Sequence, residues 1–343
     1  MRKLLNTLYV ISPDAYLSLD GENVVILRGE QATGRFPLHN FEGIVTFGYT
    51  GASPALMGAC AKKNISLCFL SAHGRFLARV TGETRGNVLL RKRQMQLAED
   101  PEERIKIARN FITGKIFNAR WVIERAIRDY SLRLNVEMLK TVSDALQQTL
   151  PRVRACGAPD LLRGLEGEAA NRYFSVFDHL ILQQKSDFSF MTRNRRPPMD
   201  SVNALLSFVY TLLANDTAAA LETVGLDPYI GFMHGDRPGR ASLALDLMEE
   251  FRSVSADRFV LSLINLRRIS AEGFTKRENG SVIMSDETRR TVLSAWQARK
   301  QETIKHPFLE EKIEWGLVPY VQAMLLARYL RGDLDEYPPF LWK

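Results

Sequence analysis

TGETRGNVLLRKRQ, residues 81–94, separates two textures of the chain. Upstream lie short runs rich in Val, Ile, Leu, Phe and Tyr: AYLSL (15–19), NVVIL (23–27), IVTFG (44–48) and SLCFL (66–70). They are broken by DGEN, GRFP and AHGR, which is the punctuation of strands and turns. SPALMGACAKKN (53–64) is the exception, a short helix opened by Ser53 and Pro54. Downstream the period becomes helical. Ile105, Ala108, Ile112, Ile116, Ala119, Ile123 and Tyr130 share one stripe, with Asp100, Pro101 and Glu103 as its start signal. The expected fold is therefore α+β, with a small β-rich domain over 1–85 and a larger all-α domain over 86–343. Within the latter, MTRNRRPPMDS (191–201) has too much proline and charge for a helix and is expected to be an exposed connection.

A chain of 343 residues, 45% of them hydrophobic, can bury a substantial core. Cys60, Cys68 and Cys156 are three in number and lack metal-type spacing, which argues against a disulfide framework or a zinc module. No signal segment and no run of membrane-spanning length is read from the sequence, so no membrane partner and a cytoplasmic location are expected. Lys and Arg outnumber Asp and Glu by 46 to 39, a net charge of +7. That balance favours a polyanionic partner without naming one.

GFMHGDRPGRASLALDLMEEFR (231–252) carries the densest chemistry. With Ser242 as N-cap, Leu243, Ala244, Leu247, Met248 and Phe251 fall on one arc of a helix, and Asp246, Glu249 and Glu250 fall on the opposite arc. Such a stripe reads either as a solvated face or as part of a site. A second helix lies in APDLLRGLEGEAANRYFSVF (158–177). There Glu166 falls at the edge of the apolar arc, between Tyr173 and Phe177, where an ionised carboxylate needs a cationic partner. A structural Glu paired with arginine satisfies that need, and so does a ligand to a cation. Gly164 and Gly167 flank it and suggest a close approach to this backbone. His234, in the loop before the acidic helix, completes a possible constellation of two carboxylates and one imidazole. An oxygen-rich set with one imidazole suits Mg²⁺ or Mn²⁺. His39, His73, His179 and His306 have no comparable acidic neighbourhood.

The blocks GLEGEAANRYF, RNRRPPMDSVNALLSFVYTLL, GLDPYIGFMHGDRPGRASLALDLMEEFR and FTKRENGSVIMS resemble those of the CRISPR-associated spacer-acquisition integrase, the first and most universal Cas protein. The likeness spans nearly the whole chain, and NRRPPMDSVNALLSF looks closest to the I-C subtype. The resemblance implies an amino-terminal β domain that forms a homodimer and a helical catalytic domain holding Mn²⁺ or Mg²⁺. It implies Glu166, His234 and Glu249 as metal ligands, the last being aspartate in some relatives. Asp246 would then act from beside the metal, and Glu250 is the less certain member of the stripe. The implied activity is joining of short invader-derived duplex DNA to the CRISPR repeat by 3′-hydroxyl attack. The implied partner is a small ferredoxin-like companion, with two integrase dimers per companion dimer. Arg237 matches a family position that contacts DNA phosphate, and Arg240 lies near it in the chain. Arg193, Arg195 and Arg196 are further candidates for phosphate contact or plain solvated charge. Arg91, Lys92 and Arg93 have a structural or dimer-facing role as a rival, and Asn203 and Tyr173 either orient the site or are buried helix residues. Two other classes stand beside this one: a metal-dependent, structure-selective repair nuclease, and a non-catalytic DNA-binding scaffold.

Overall fold

Strand-forming runs before residue 81 build two sheets. The computed structural model describes residues 6–72, 74–83, 87–195 and 197–343. β1 (Thr7–Val10), β5 (Gly43–Phe47), β6 (Ser66–Leu70) and β7 (Phe76–Val80) form one sheet in that order, parallel except for the β6–β7 pair. β2 (Ala15–Asp20), β3 (Asn23–Arg28) and β4 (Gln31–Pro37) form an antiparallel meander. Alternating apolar residues of both sheets, Leu17, Val24, Ile44 and Leu67 among them, meet in one core with Leu56 and Cys60 of helix α1 (Pro54–Lys63). α1 begins where the sequence places it: Ser53 Oγ accepts from the Leu56 amide at 3.2 Å and Pro54 takes the first turn. The mixed α+β class thus holds, with a β-rich amino-terminal region followed by a larger helical one.

The helical part consists of α2 (Val88–Glu99), α3 (Pro101–Tyr130), α4 (Val136–Arg154), α5 (Pro159–Ser175), α6 (Ser201–Val224), α7 (Ser242–Phe251), α8 (Arg258–Asn265), α9 (Asp286–Gln301) and α10 (Val318–Arg331). Two short strand pairs, β8 (Phe274–Lys276) with β9 (Val282–Met284) and β10 (Thr303–Lys305) with β11 (Lys312–Glu314), punctuate it. The 30-residue α3 is the spine, packing against α4, α5 and α7. Asp100 caps it, accepting from the Glu102 and Glu103 amides at 2.9 and 3.3 Å. Its apolar stripe is buried as far as Ile123, while Tyr130 at its end is exposed.

Several expectations change. Residues 1–86 and 284–302 form one compact unit, and 87–283 and 303–343 the other, so α9 clusters with the β-rich region although its texture is helical. α6 does have the length and apolarity to cross a membrane. Its apolar side chains pack instead against α7 and α10, which makes it a core helix. Ser242 is the first residue of α7 and not its cap: Ala241 precedes the helix without a side-chain cap, and Ser242 Oγ donates to the Gly235 carbonyl at 3.2 Å. Gly164 and Gly167 face open space: among the described residues nothing lies within 4 Å of where a Cβ would stand.

Candidate active site

α7 is buried on every side. Asp246 and Glu250 have no exposed surface and Glu249 keeps 4%, so the acidic stripe is not a solvated face. α3, α6 and α10 surround this helix, and each carboxylate meets a different set of partners.

Asp246 organises the loop before it. Its Oδ2 accepts from the Phe232 and Met233 amides at 2.7 and 2.9 Å, and its Oδ1 accepts from the His234 amide at 2.9 Å and lies 2.6 Å from His234 Nδ1. Four donors converge on one carboxylate, which fixes the His234 ring with its proton on Nδ1 and leaves Nε2 as the outward lone pair. Asp246 is therefore a positioning residue, and its oxygens have no capacity left for an ion. Gly231 permits this closeness, because a Cβ there would fall 2.7 Å from Ser242 Cβ and 2.8 Å from Asp246 Oδ2. Two more residues brace the loop. Gln94 donates to the carbonyls of Asp227 and Ile230 at 2.8 and 3.0 Å, and Arg104 donates to the Phe232 carbonyl at 2.8 Å.

Glu249 lies between two cations. Arg252 reaches its Oε1 at 2.5 Å and the Lys115 ammonium its Oε2 at 2.9 Å. Burial alone would raise its pKa, but these charges hold the carboxyl down at about 2. The same Lys115 ammonium is paired with Glu166 Oε1, so carboxylates from α5 and α7 share one cation supplied by α3. This is the cationic partner that the position of Glu166 demands, and it is a lysine and not an arginine. Arg252 belongs to a π-helical turn (Arg252–Asp257) that continues α7. Its guanidinium stacks 4.8 Å from the centre of the Tyr210 ring, and Tyr210 donates to Asp257 at 2.6 Å. Burial pushes the Asp257 carboxyl up to about 6.

Glu250 faces away from this group. It accepts from Tyr337 Oη, Gln322 Nε2 and the Phe340 amide at 2.7, 3.0 and 2.7 Å, and burial pushes its carboxyl up to about 8. Gly114 of α3 passes so close that a Cβ would lie 2.9 Å from Glu250 Cγ. Its role is structural.

The arginines separate as well. Arg237 is exposed on the loop joining His234 to α7. Arg240 closes that loop through the Gly235 carbonyl and Ser242 Oγ. Arg193 is half-buried and turned inward: it donates to Asn203 Oδ1 at 2.6 Å and Ser207 Oγ at 3.0 Å, and it stacks on Tyr210. Arg195 is exposed, and Arg196, like His73, lies outside the described residues. Asn203 is buried and fully engaged, tying Thr192, Arg193, Asn194 and Asp200 together. Tyr173 is buried in an aromatic cluster with Phe174 and Phe177.

Lys115, Arg252, Gln94 and Arg104 escape the sequence reading. Lys115 had a signal, since it falls at helical spacing between Ile112 and Ala119 inside an apolar stripe. Arg252 had another, three residues after Glu249.

Among the described residues no three His, Cys, Asp or Glu side chains stand close enough to hold a metal as they are. The donor set nevertheless fits a divalent cation. Two carboxylates already enclose one positive charge, the Lys115 ammonium, and His234 lies near enough to Glu249 to act on it electrostatically. Oxygen donors with one imidazole suit a hard or borderline divalent ion.

The fold is similar to that of a casposase bound to its integration product, which is 22% identical, covers 98% of this chain and 94% of its own, and has a TM-score of 0.84. A chain of a Cas6-RT-Cas1–Cas2 complex matches 98% of this chain over 36% of its own length, at 24% identity and TM-score 0.81. Both likenesses concern the fold. The family described as CRISPR associated protein Cas1 matches residues 8–298, and the CRISPR-associated endonuclease Cas1 2 of Rhodospirillum rubrum is 52% identical over the full length of both chains. The chain belongs to the CRISPR-associated Cas1 family.

Proposed function

We propose that Glu166, Glu249 and His234 hold one Mg²⁺ or Mn²⁺ ion with which this CRISPR-associated endonuclease and integrase joins short duplex DNA to the CRISPR repeat. The observation that carries the reading is the pairing of carboxylates from α5 and α7 around one cation, beside an imidazole locked by Asp246. A divalent ion in that position supplies Lewis-acid polarisation of a phosphodiester and neutralises its developing charge.

The residues of the chain divide the remaining work. Asp246 keeps His234 in the tautomer whose Nε2 is free, and Arg252 fixes Glu249 Oε1 so that Oε2 is the oxygen offered toward Glu166. None of these side chains is a covalent nucleophile in this arrangement, so the attacking oxygen comes from water or from a DNA 3′ hydroxyl. With the hydroxyl, one P–O bond forms to the incoming strand while the repeat's own P–O bond breaks, and the number of phosphodiesters is unchanged. With water the same site nicks DNA. Arg237 meets the phosphate backbone at the mouth of the His234 loop, with Arg195 and Arg196 as further contacts.

The solved complex of this fold that contains Cas2 supports a companion for this chain. We assign it two homodimers of this protein, paired through the β-rich unit, around a dimer of a small ferredoxin-like companion. The setting is the cytoplasm and the system is subtype I-C, on the strength of the NRRPPMDSVNALLSF block.

The test mixes the protein with its companion, Mn²⁺, a plasmid bearing the matching repeat and a labelled short duplex. The label is expected at the repeat boundary, covalently attached after deproteinisation. Dideoxy 3′ ends should abolish joining and leave duplex binding nearly unchanged, since one hydroxyl contributes little to a phosphate-dominated interface. Joining with blocked ends, or nicking with no joined product, would remove the integrase and leave a structure-selective nuclease.

A further inference from the structure

Like charges brought together in a partly buried place repel, and a fold that holds them there before its ion arrives needs another cation. The Glu249 side chain is 5% exposed and that of Glu166 27%, and between them the Lys115 side chain, 14% exposed, contacts both. The two cations that touch Glu249 differ in kind. Arg252 is fixed by its stack on Tyr210 and by the neighbouring Asp257 carboxylate, and a planar guanidinium so held has little freedom. Lys115 is a point charge on a flexible four-carbon stem. Beside that stem lies a small, mostly apolar cavity of about 30 Å³, lined by Lys115 with Ile116, Ala119, Tyr173, Phe174 and Asp257, so the packing around the stem is incomplete.

We propose that Lys115 is a built-in place-holder for the divalent ion: its ammonium keeps Glu166 and Glu249 in register in the ion-free protein and is expelled when the ion takes its position. The inference rests on the metal reading above and adds a competition to it. The ion does not enter a preformed vacancy; it exchanges with a tethered cation. Weak ions are thereby excluded, and the acid pair is kept from collapsing onto other basic groups. Arg252 does not take part in the exchange, because it holds the other oxygen of Glu249.

Lysine labelling of the whole wild-type protein with an acylating reagent, read by peptide mass spectrometry with and without Mn²⁺, tests this directly. Lys115 should be protected without the ion and should gain reactivity at least about tenfold with it. Mn²⁺ titration followed by electron paramagnetic resonance supplies a second readout. Lys115→Met should bind Mn²⁺ at least about tenfold more tightly, on the scale by which groups around a metal site move its affinity, while melting at a lower temperature without the ion. Labelling that is unchanged or falls on adding Mn²⁺, or a Lys115→Met protein that binds no more tightly, overturns the place-holder while the metal reading stands, provided Glu166→Ala loses the ion. If the wild type binds no Mn²⁺, or Glu166→Ala binds it as the wild type does, both fall together.

Discussion

Asp246→Asn is nearly isosteric, yet it puts an amide where four donors converge. In one orientation its NH₂ faces the amides of Phe232 and Met233, and two buried N–H groups lose their acceptor. In the other it faces the His234 amide and Nδ1. There only one N–H is orphaned, because the ring escapes by moving its proton to Nε2 and accepting at Nδ1. An orphaned buried donor costs about 1–3 kcal/mol, so the second orientation wins by roughly that amount. The variant should therefore fold, with Tm lower by roughly 2–12 °C at about 2–4 °C per kcal/mol. Its His234 then carries the proton on Nε2 in place of a lone pair, and Mn²⁺ affinity should fall about 10- to 100-fold. Nitrogen-15 shifts of the imidazole report the tautomer, calorimetry the stability and Mn²⁺ titration the affinity. Wild-type affinity in a protein whose ring proton has moved would refute the reasoning, since Nε2 would then not be a ligand.

Glu166→Ala should abolish Mn²⁺-dependent cleavage and joining while circular dichroism shows the helices intact; retained activity would exclude Glu166 as a ligand. Arg237→Ala should weaken DNA binding alike on unrelated sequences and make the log–log salt slope shallower by about one unit, whereas an unchanged slope would remove it from the phosphate contacts. Glu250 has its carboxyl raised from 4.5 to about 8, so the folded protein keeps a proton that the unfolded chain releases, and stability falls as pH rises through that interval. Relative to Glu250→Gln, which mimics the protonated form, the wild type should lose about 3 kcal/mol between about pH 5.5 and 8.5. Parallel denaturation curves for the two proteins across that range would contradict it.

What the sequence reveals is what acts locally. Ser53 with Pro54 and Asp100 with Pro101 open their helices as read, because a cap and its helix lie within three residues. Glu166 is legible as a carboxylate in want of a cation, since helical spacing alone sets it at the edge of an apolar arc. Which cation answers it is not legible, because Lys115 lies 51 residues away on another helix. Gln94 and Arg104, which brace the His234 loop, are likewise more than 120 residues from their acceptors. The stripe on α7 shows the limit most clearly. A wheel separates apolar from acidic arcs, but solvent and a buried wall of Lys, Arg, Tyr and Gln satisfy an acidic arc equally well. Arg193 fails for the same reason: a charged loop looks solvated until Asn203 and Tyr210 are found behind it.

The partners of Glu250 have a consequence for biosynthesis. Phe340 supplies its amide to that carboxylate from 90 residues downstream, and Tyr337 its hydroxyl from 87. Asn118 binds the carbonyls of both Glu250 and Phe340 and accepts from the Trp342 amide, stitching the two segments to α3. A ribosome adding about 5–20 residues per second needs roughly 5–20 s to travel from α7 to those partners. Throughout that interval the nascent helix carrying Asp246 and Glu249 has a buried acid with nothing to meet it. The packing of α7 against α3 is thus completed only when residues 337–342 arrive, and a chain that stalls before residue 337 leaves Glu250 without its Tyr337 and Phe340 partners.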